Sequence, residues 1–243
     1  MSALVIEDAR EYVFPVFSVR AQDNGVFLES RTFLGTAFFV TKRGDAITAN
    51  HVIPTPDDLG EERRLIAIVQ VEDEAKVCWI TRAAKFQSFD VALFHVNLPK
   101  TSYLPVSTEE VAWGADIQLI GIPSHEVWGS GKEMRILKGH VTLSHRHLEL
   151  NFPVPSGMSG APVFLHNKVV GYATGTVRSE EIEETHEAIE EIENGREVIR
   201  ISEIRRIIHY GLANPFSKMR EVRDPVLEGK TLFEFIVEQN AEP

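Results

Sequence analysis

What this sequence lacks limits both its structure and its function. Cys78 is the only cysteine in 243 residues, which excludes an intramolecular disulfide and favours a reducing compartment. No uninterrupted apolar run approaches the roughly 18 residues of a membrane-spanning helix. The N-terminus carries Glu7 and Asp8 where a secretory signal peptide is basic and then apolar. We therefore expect a cytoplasmic protein without a membrane segment.

Positive charge is also scarce. The chain has 25 Lys and Arg residues against 36 Asp and Glu, and its formal net charge is -11. Proteins that bind nucleic acids typically have a net positive charge or a basic surface patch, and this composition is acidic. No nucleic-acid partner is therefore expected. The hydrophobic fraction of 43% is ordinary for a globular protein, and the length is sufficient for a large core.

Helical periodicity is scarce up to about residue 202, where short β-type runs separated by turn residues dominate. Twelve such runs form two groups, and the absence of helices between them argues against βαβ units and for barrels or sandwiches. The first group is 12–20, 31–41, 45–53, 64–72, 76–84 and 90–97. The second group is 116–123, 134–145, 147–152, 161–167, 168–177 and 196–202. Residues 98–114 contain two prolines and form the expected boundary between the groups.

This pattern predicts an all-β protein of two six-stranded antiparallel barrels, one in 1–100 and one in 101–202. A terminal helix and tail are predicted in 203–243. Ser202 is a good N-cap, Ile204, Ile207 and Ile208 share one helical face, and Gly211 and Pro215 would end the helix. The apolar run 231–237 in the tail is expected to dock on another surface.

Three short segments contain residues suited to nucleophilic catalysis: Thr48-Ala49-Asn50-His51, Asp90-Val91-Ala92-Leu93 and Gly157-Met158-Ser159-Gly160. Each is common by itself. Serine is a poor nucleophile without a neighbouring base, and that base needs an acid to orient it. In this arrangement His51 takes the Ser159 hydroxyl proton, and Asp90 holds the imidazole in the required tautomer. The glycines allow the amides of Gly157 and Ser159 to point at one spot and form an oxyanion hole.

The order of these segments on two groups of six strands resembles the chymotrypsin-like serine peptidases. TANHVI is similar to their T-A-A-H segment, SFDVALFHV to their D-I-A-L strand, and SGMSGAPVF to their G-D-S-G-G-P or G-N-S-G-G-P. His51 and Asp90 are 39 residues apart, and Asp90 and Ser159 are 69 apart. These spacings are similar to those of compact bacterial members such as the HtrA protease core, here without a PDZ domain. The resemblance implies a serine endopeptidase that uses His51, Asp90 and Ser159, without a cofactor or metal, on protein or peptide substrates.

The sequence departs from the digestive members of this family at two informative places. Met158 stands where they have the aspartate that pairs with a newly cut N-terminus, so activation by that route is not expected. Val52 stands where they have a disulfide cysteine. The resemblance also implies that the strand containing Tyr172, Ala173, Thr174 and Gly175 lines the primary substrate pocket, which is expected to be neutral.

Two further features have alternative interpretations. The segment 179–194 has eight glutamates and no Lys or Arg. One interpretation is an acidic lid or docking surface that attracts basic substrates or a regulatory partner. The other is a solvated insertion without a specific role. Ile182, Ile189 and Ile192 in this segment would form a narrow helical stripe. His145 and His147, two apart on a predicted strand, are either metal ligands or surface or pocket-wall histidines, and no third ligand accompanies them.

Three functions are compatible with these observations. The first is an active endopeptidase that forms an acyl-enzyme on Ser159. The second is a catalytically silent binding or regulatory protein that keeps the fold. The third is a resting protease that a partner switches on through the acidic segment 179–194 or the C-terminal tail.

Overall fold

A computed structural model describes residues 9–22, 25–72, 74–124, 133–193, 196–221, 223 and 227–241, with the backbone alone in 22–29 and 178–208. Its twelve strands form two closed antiparallel barrels of six strands each. The first barrel consists of β1 (Val13–Gln22), β2 (Gly25–Phe39), β3 (Asp45–Ala49), β4 (Arg63–Val71), β5 (Glu74–Phe86) and β6 (Val91–Val96). Its strand order is β1-β2-β3-β6-β5-β4. The two closed six-stranded barrels confirm the predicted fold.

The second barrel follows in the chain. It consists of β7 (Asp116–Gly121), β8 (Arg135–Ser144), β9 (Leu148–Leu150), β10 (Pro162–Leu165), β11 (Lys168–Glu193) and β12 (Arg196–Pro215), in the order β10-β11-β12-β9-β8-β7.

The connection between the barrels is bound to both of them. Leu104 donates its amide to the carbonyl of Phe39 (2.9 Å), and Ser107 donates to that of Val169 (2.8 Å). This segment is therefore fixed to both barrels by backbone hydrogen bonds.

Aromatic side chains fill the first barrel. The ring of Phe14 lies 4.5 Å from that of Phe39 and 6.3 Å from that of Phe94, centroid to centroid, and all three are buried. Such rings bury a large area each and prefer tilted or edge-to-face contacts of this kind. The second barrel is filled by smaller residues such as Leu119, Val141 and Val163. The one free cysteine, Cys78, is buried at the first barrel, and this burial raises the pKa of its thiol.

The C-terminal helix α2 (Leu232–Ala241) packs on the first barrel. Leu232 and Ile236 are buried in a cluster that holds most of the core of that barrel and also includes Ile120 and Phe164 of the second barrel. Asn240 accepts the amide proton of Lys42 (3.0 Å) and donates to the carbonyl of Val40 (3.0 Å). The apolar run 231–237 therefore docks on the chain's own barrel. A shorter helix, α1 (Pro56–Leu59), begins with a capping box between Thr55 and Asp58.

The helix predicted from residue 203 is wrong, and the second barrel continues to Pro215. These residues belong to β12, which pairs with β11 from Gly171↔Pro215 outward to Glu193↔Arg196. β12 contains five isoleucines, whose branched side chains favour strands, and a partner strand completes its backbone hydrogen bonds. The predicted helical stripe of Ile182, Ile189 and Ile192 is wrong for the same reason, because all three lie in β11. We call the paired segments 178–193 and 196–208 the β-ribbon.

Candidate active site

His51 and Asp90 come together because their strands are neighbours. β3 pairs with β6 in the register Ala49↔Val91, so residues just beyond this pair meet at one edge of the barrel. His51 lies in a short 3-10 helix, Asn50–Val52, directly after β3. Asp90 follows another, Gln87–Phe89, and directly precedes β6. The amide of Asn50 donates to the carbonyl of Asp90 (2.8 Å), which fixes the two turns together.

Both carboxylate oxygens of Asp90 are bound by His51. Oδ1 accepts the backbone amide of His51 at 3.0 Å, and Oδ2 lies 2.8 Å from its Nδ1. An ionised carboxylate only accepts hydrogen bonds, so Nδ1 carries the proton. In the neutral ring Nε2 is then left as an acceptor. The side chains of His51 and Asp90 are 48% and 34% exposed, so a substrate can reach this pair.

The backbone of Asp90 is in the left-handed region, with φ 50° and ψ 41°. For a residue with a side chain this conformation costs about 1 kcal/mol or more, and neighbouring contacts must stabilise it. Such strain is frequent where a side chain is held in a functional orientation.

Ser159 lies in a turn whose shape depends on two glycines. Gly157 has φ +91° and Gly160 has φ +86°. A Cβ on Gly157 would lie 2.4 Å from a ring carbon of Phe33, and one on Gly160 would lie 2.1 Å from the hydroxyl of Thr48. No other residue fits at either position without a shift of the backbone. The glycines are therefore required by the close approach of the two barrels as well as by the turn.

Thr36 in β2 attaches this turn to the first barrel. Its hydroxyl donates to the carbonyl of Gly157 (2.8 Å), and its amide donates to that of Ser159 (2.9 Å). The carbonyl of Thr36 accepts the hydroxyl proton of Thr48, the residue three before His51, at 2.6 Å. One residue of the first barrel thus connects the serine turn with the strand that leads to His51.

The amides of Gly157 and Ser159 are available to a ligand. Within the residues that the structure describes, neither amide donates a hydrogen bond to another protein group. The carbonyl of Ser156 accepts the amide proton of Ser124 (2.8 Å), which orients the peptide group that carries the Gly157 amide. The oxyanion hole predicted from the sequence would use these two amides.

The hydroxyl of Ser159 does not bond to His51 in this conformation. It donates instead to the carbonyl of Thr174, at 3.3 Å. The residue after His51 lies close to the serine turn, because a Cβ on Gly35 would lie 2.6 Å from Val52 and 3.0 Å from the carbonyl oxygen of Ser159. Rotation about χ1 of Ser159 is the movement that would redirect the hydroxyl. Contacts between a nucleophile and its base are often loose in unliganded structures.

The four residues predicted to line the substrate pocket are in different environments. Thr174 and Gly175 are partly exposed beside Ser159, and Ala173 is buried, with its amide and carbonyl bonded to Ala161 and Gly160. The side chain of Tyr172 is fully buried and its hydroxyl donates to the carbonyl of Phe89, so this side chain does not line an open pocket. The change from buried to partly exposed residues coincides with a register shift in the pairing of β11 with β12, between Ala173 and Gly175.

Several residues of this site were not predicted from the sequence. Thr36 and Asn214 are ordinary strand residues whose importance comes from partners far along the chain.

The two histidines considered as metal ligands, His145 and His147, lie in the turn between β8 and β9, and not on a strand as predicted. His147 Nδ1 lies 2.5 Å from Asn214 Oδ1. Among the described residues, no group of three His, Cys, Asp or Glu side chains is arranged to hold a metal ion.

Two closed six-stranded antiparallel barrels, with a His–Asp pair and a glycine-flanked serine turn between them, have the architecture of the chymotrypsin-like fold. The family model of the trypsin-like peptidase domain matches residues 35–171, more than half of the chain. The chain therefore belongs to the trypsin-like peptidase family. A search of curated proteins found no match to the chain. Among the described helices, none has the length and apolar character needed to cross a membrane.

Proposed function

We propose that this protein is a serine endopeptidase with Ser159 as nucleophile, His51 as general base and Asp90 as the acid that orients it. The observation that carries the proposal is the contact of both Asp90 carboxylate oxygens with His51, beside the serine turn with its two unpaired amides. The peptidase family to which the chain belongs supports peptide bonds as the substrate.

In this mechanism His51 Nε2 takes the hydroxyl proton as Ser159 Oγ attacks the peptide carbonyl. The tetrahedral oxyanion accepts hydrogen bonds from the amides of Gly157 and Ser159. Proton transfer from the imidazolium to the leaving amine breaks the peptide bond and leaves an acyl-enzyme. Water activated by His51 then hydrolyses this ester and regenerates Ser159. Every step uses groups of the chain and one water molecule.

A fluorophosphonate probe tests the proposal, because it phosphonylates only an activated serine. We expect the wild-type protein to be labelled, with the adduct on the peptide that contains Ser159, and Ser159→Ala to be unlabelled. Ser144→Ala is a matched control at an exposed serine outside the site, and it should label like the wild type. Absence of labelling under all conditions would refute the proposed enzyme.

A switched protease is the second candidate, and the position of the Ser159 hydroxyl favours it. The hydroxyl bonds to the carbonyl of Thr174 and not to His51, as expected for a resting state that rearranges before reaction. Labelling that appears only after a peptide or protein partner is added would support this form. Equal labelling with and without the partner would support constitutive activity.

We further propose that the acidic segment 179–194 attracts basic substrates or a basic regulatory partner. Its side chains lie outside the described residues, but the backbone of β11 runs from Thr174, beside Ser159, to Glu193 in the β-ribbon. Replacing Glu180, Glu181, Glu183 and Glu184 by glutamine should raise KM for Lys- and Arg-rich peptides more than for neutral peptides. Equal changes for both peptide classes would reject the idea in favour of a solvated insertion.

We also propose that the protein works in a reducing, cytoplasmic compartment. The single cysteine supports this, since the chain cannot form an intramolecular disulfide. Fractionation of cells that express the full chain tests it, and recovery outside the cytoplasmic fraction would contradict it.

A further inference from the structure

A hydrogen-bond network from the second barrel reaches the peptide group that precedes Asp90. The hydroxyl of Tyr172 in β11 donates to the carbonyl of Phe89, and Asn214 Nδ2 in β12 donates to the same oxygen at 2.6 Å. Asn214 Nδ2 also lies 3.3 Å from the Tyr172 hydroxyl. One backbone carbonyl of the first barrel thus receives two donors from the second barrel.

His147 completes the network and fixes its direction. Asn214 donates through Nδ2, so its Oδ1 is the acceptor that faces His147 Nδ1 at 2.5 Å. His147 must therefore carry a proton on Nδ1. The opposite orientation of the Asn214 amide would put two acceptors, Oδ1 and the Phe89 carbonyl, against each other. The network has one consistent arrangement of donors. Its Tyr172 and Asn214 members are 0% and 5% exposed, whereas His147 is exposed.

We propose that Tyr172 and Asn214 are positioning residues for Asp90, so that the docking of the second barrel sets the geometry of the His51–Asp90 pair. This inference rests on the proposed function for its kinetic consequence. The carbonyl of Phe89 and the amide of Asp90 belong to one rigid peptide group. Two hydrogen bonds to that carbonyl restrain the orientation of this peptide plane. The left-handed backbone of Asp90 begins at the same plane.

The restrained plane matters because Asp90 meets His51 at two atoms. The contacts of 3.0 and 2.8 Å require the carboxylate to face both the amide and the ring of His51. A change of φ at Asp90 swings the carboxylate about the Cα position. Displacements of about 1 Å at a reacting centre reduce rates by as much as about 10²-fold. Packing alone does not explain why both donors converge on this oxygen.

The test compares Tyr172→Phe, Asn214→Ala and the double variant with the wild type. Tyr172→Phe removes only the hydroxyl and keeps the ring against Phe216, 5.7 Å away. Thr101→Val is the matched control, because it removes a buried hydroxyl-to-carbonyl bond, from Thr101 to Thr41, in a part of the first barrel outside the site. Urea unfolding of each variant identifies those that are folded at the assay temperature.

Two measurements are made on the folded variants. The first is the proton resonance of His51 Nδ1 in protein labelled with ¹⁵N-histidine, assigned by its loss in His51→Ala. The second is the fluorophosphonate reaction, separated into the maximal rate and the half-saturating probe concentration. We expect Tyr172→Phe to shift or broaden the resonance and to lower the maximal rate about 10-fold, with half-saturation unchanged. The double variant should lose more, and Thr101→Val should match the wild type.

The two proposals fail in different ways. If wild-type protein shows the resonance but no labelling, the proposed function fails while the resonance still decides the positioning role. If Tyr172→Phe and Asn214→Ala keep both the resonance and the maximal rate of Thr101→Val, the positioning role is overturned. If the double variant does not fold, the single variants decide by the same two measurements.

Discussion

Asp90 meets two requirements of His51 at once, since one oxygen accepts the backbone amide and the other accepts the ring proton. A carboxylate accepts at both atoms, whereas a carboxamide accepts at one and donates at the other. Asparagine has nearly the same shape but cannot make both contacts with the same tautomer of the ring. Replacing Asp90 by asparagine therefore removes the negative charge of the side chain while nearly keeping its shape.

We predict that Asp90→Asn lowers the rate of fluorophosphonate labelling by about 10³- to 10⁴-fold without unfolding the protein. With Oδ1 still on the amide of His51, the new NH₂ group faces Nδ1 and moves the ring proton to Nε2, which then cannot accept from Ser159. The same substitution in a related triad costs about 10⁴-fold in turnover. The measurement is the rate of labelling at saturating probe.

The chain offers a matched control for this substitution. Asp45 and His95 form a second pair, with Oδ1 3.1 Å from Nδ1, and Asp45 also accepts from Thr41 at 2.8 Å. Asp45→Asn should destabilise the protein, because Asp45 is buried, but the folded fraction should label at the wild-type rate. Equal losses in the two variants would mean that Asp90 has no special role.

At the residue scale, the sequence predicts those parts of the site that local motifs describe. Short segments and their order predict His51, Asp90 and Ser159 as a triad, and the need for unusual backbone angles predicts Gly157 beside them. Thr36 and Asn214 have no local signal, and the sequence assigns Tyr172 to the substrate pocket and not to its contact with Phe89. Asn214 contacts Phe89 across 125 residues of chain, and only the folded topology brings them together.

At the scale of elements, the β-ribbon was the least predictable feature. Short apolar segments have similar periodicity whether they form a helix or a strand. Ser202 and the following isoleucines fit a capped helix, but the same isoleucines have high strand propensity. The partner strand decides, since β11 completes the hydrogen bonds of β12 over nineteen paired positions. Pairing of this kind is a non-local property that a single segment does not contain.

The helix α2 allows a direct test of packing at this scale. Ile236 is 4% exposed and belongs to the large buried cluster that includes the core of the first barrel, whereas its neighbour Val237 is 67% exposed. Ile236→Ala should lower the free energy of unfolding by about 2–5 kcal/mol, because it removes buried methyl groups and leaves a cavity. Val237→Ala should change it by less than about 0.5 kcal/mol. Urea unfolding of both variants measures the difference.

Similar small effects of the two substitutions would show that α2 does not pack on the barrel in solution. The expectation that the C-terminal tail offers an apolar surface to a partner would then regain support. In the folded arrangement described above, the apolar residues Leu232 and Ile236 are already covered by the chain itself.

At the scale of the whole molecule, the site belongs to neither barrel alone. The first barrel holds His51 and Asp90, and the second holds Ser159 and the two unpaired amides. Thr36 reaches from the first barrel to the serine turn, while Tyr172 and Asn214 reach from the second barrel to the turn of Asp90. These contacts run in opposite directions across the interface, so each barrel donates hydrogen bonds to the other barrel's part of the candidate site.

Tyr172 makes this interface measurable as a dependence of stability on pH. Burial raises the pKa of its phenol above the ordinary value, the negative charge of Asp90 raises it further, and the hydrogen bond with Asn214 opposes the shift. In the unfolded chain the phenol loses its proton near pH ~10. A raised pKa in the folded state therefore contributes stability that is complete below this pH and is lost as the pH rises further.

We predict that the free energy of unfolding of the wild type falls more steeply above pH ~10 than that of Tyr172→Phe. The extra slope approaches about 1.4 kcal/mol per pH unit, the value for one proton. Cys78 and Lys230 also have raised pKa values, but both proteins contain them, so their contributions cancel in the difference. Urea unfolding at intervals between about pH 8 and about pH 11 gives both curves. Parallel curves would mean that the Tyr172 phenol is not buried between the barrels, and the link from the second barrel to Asp90 would be lost with it.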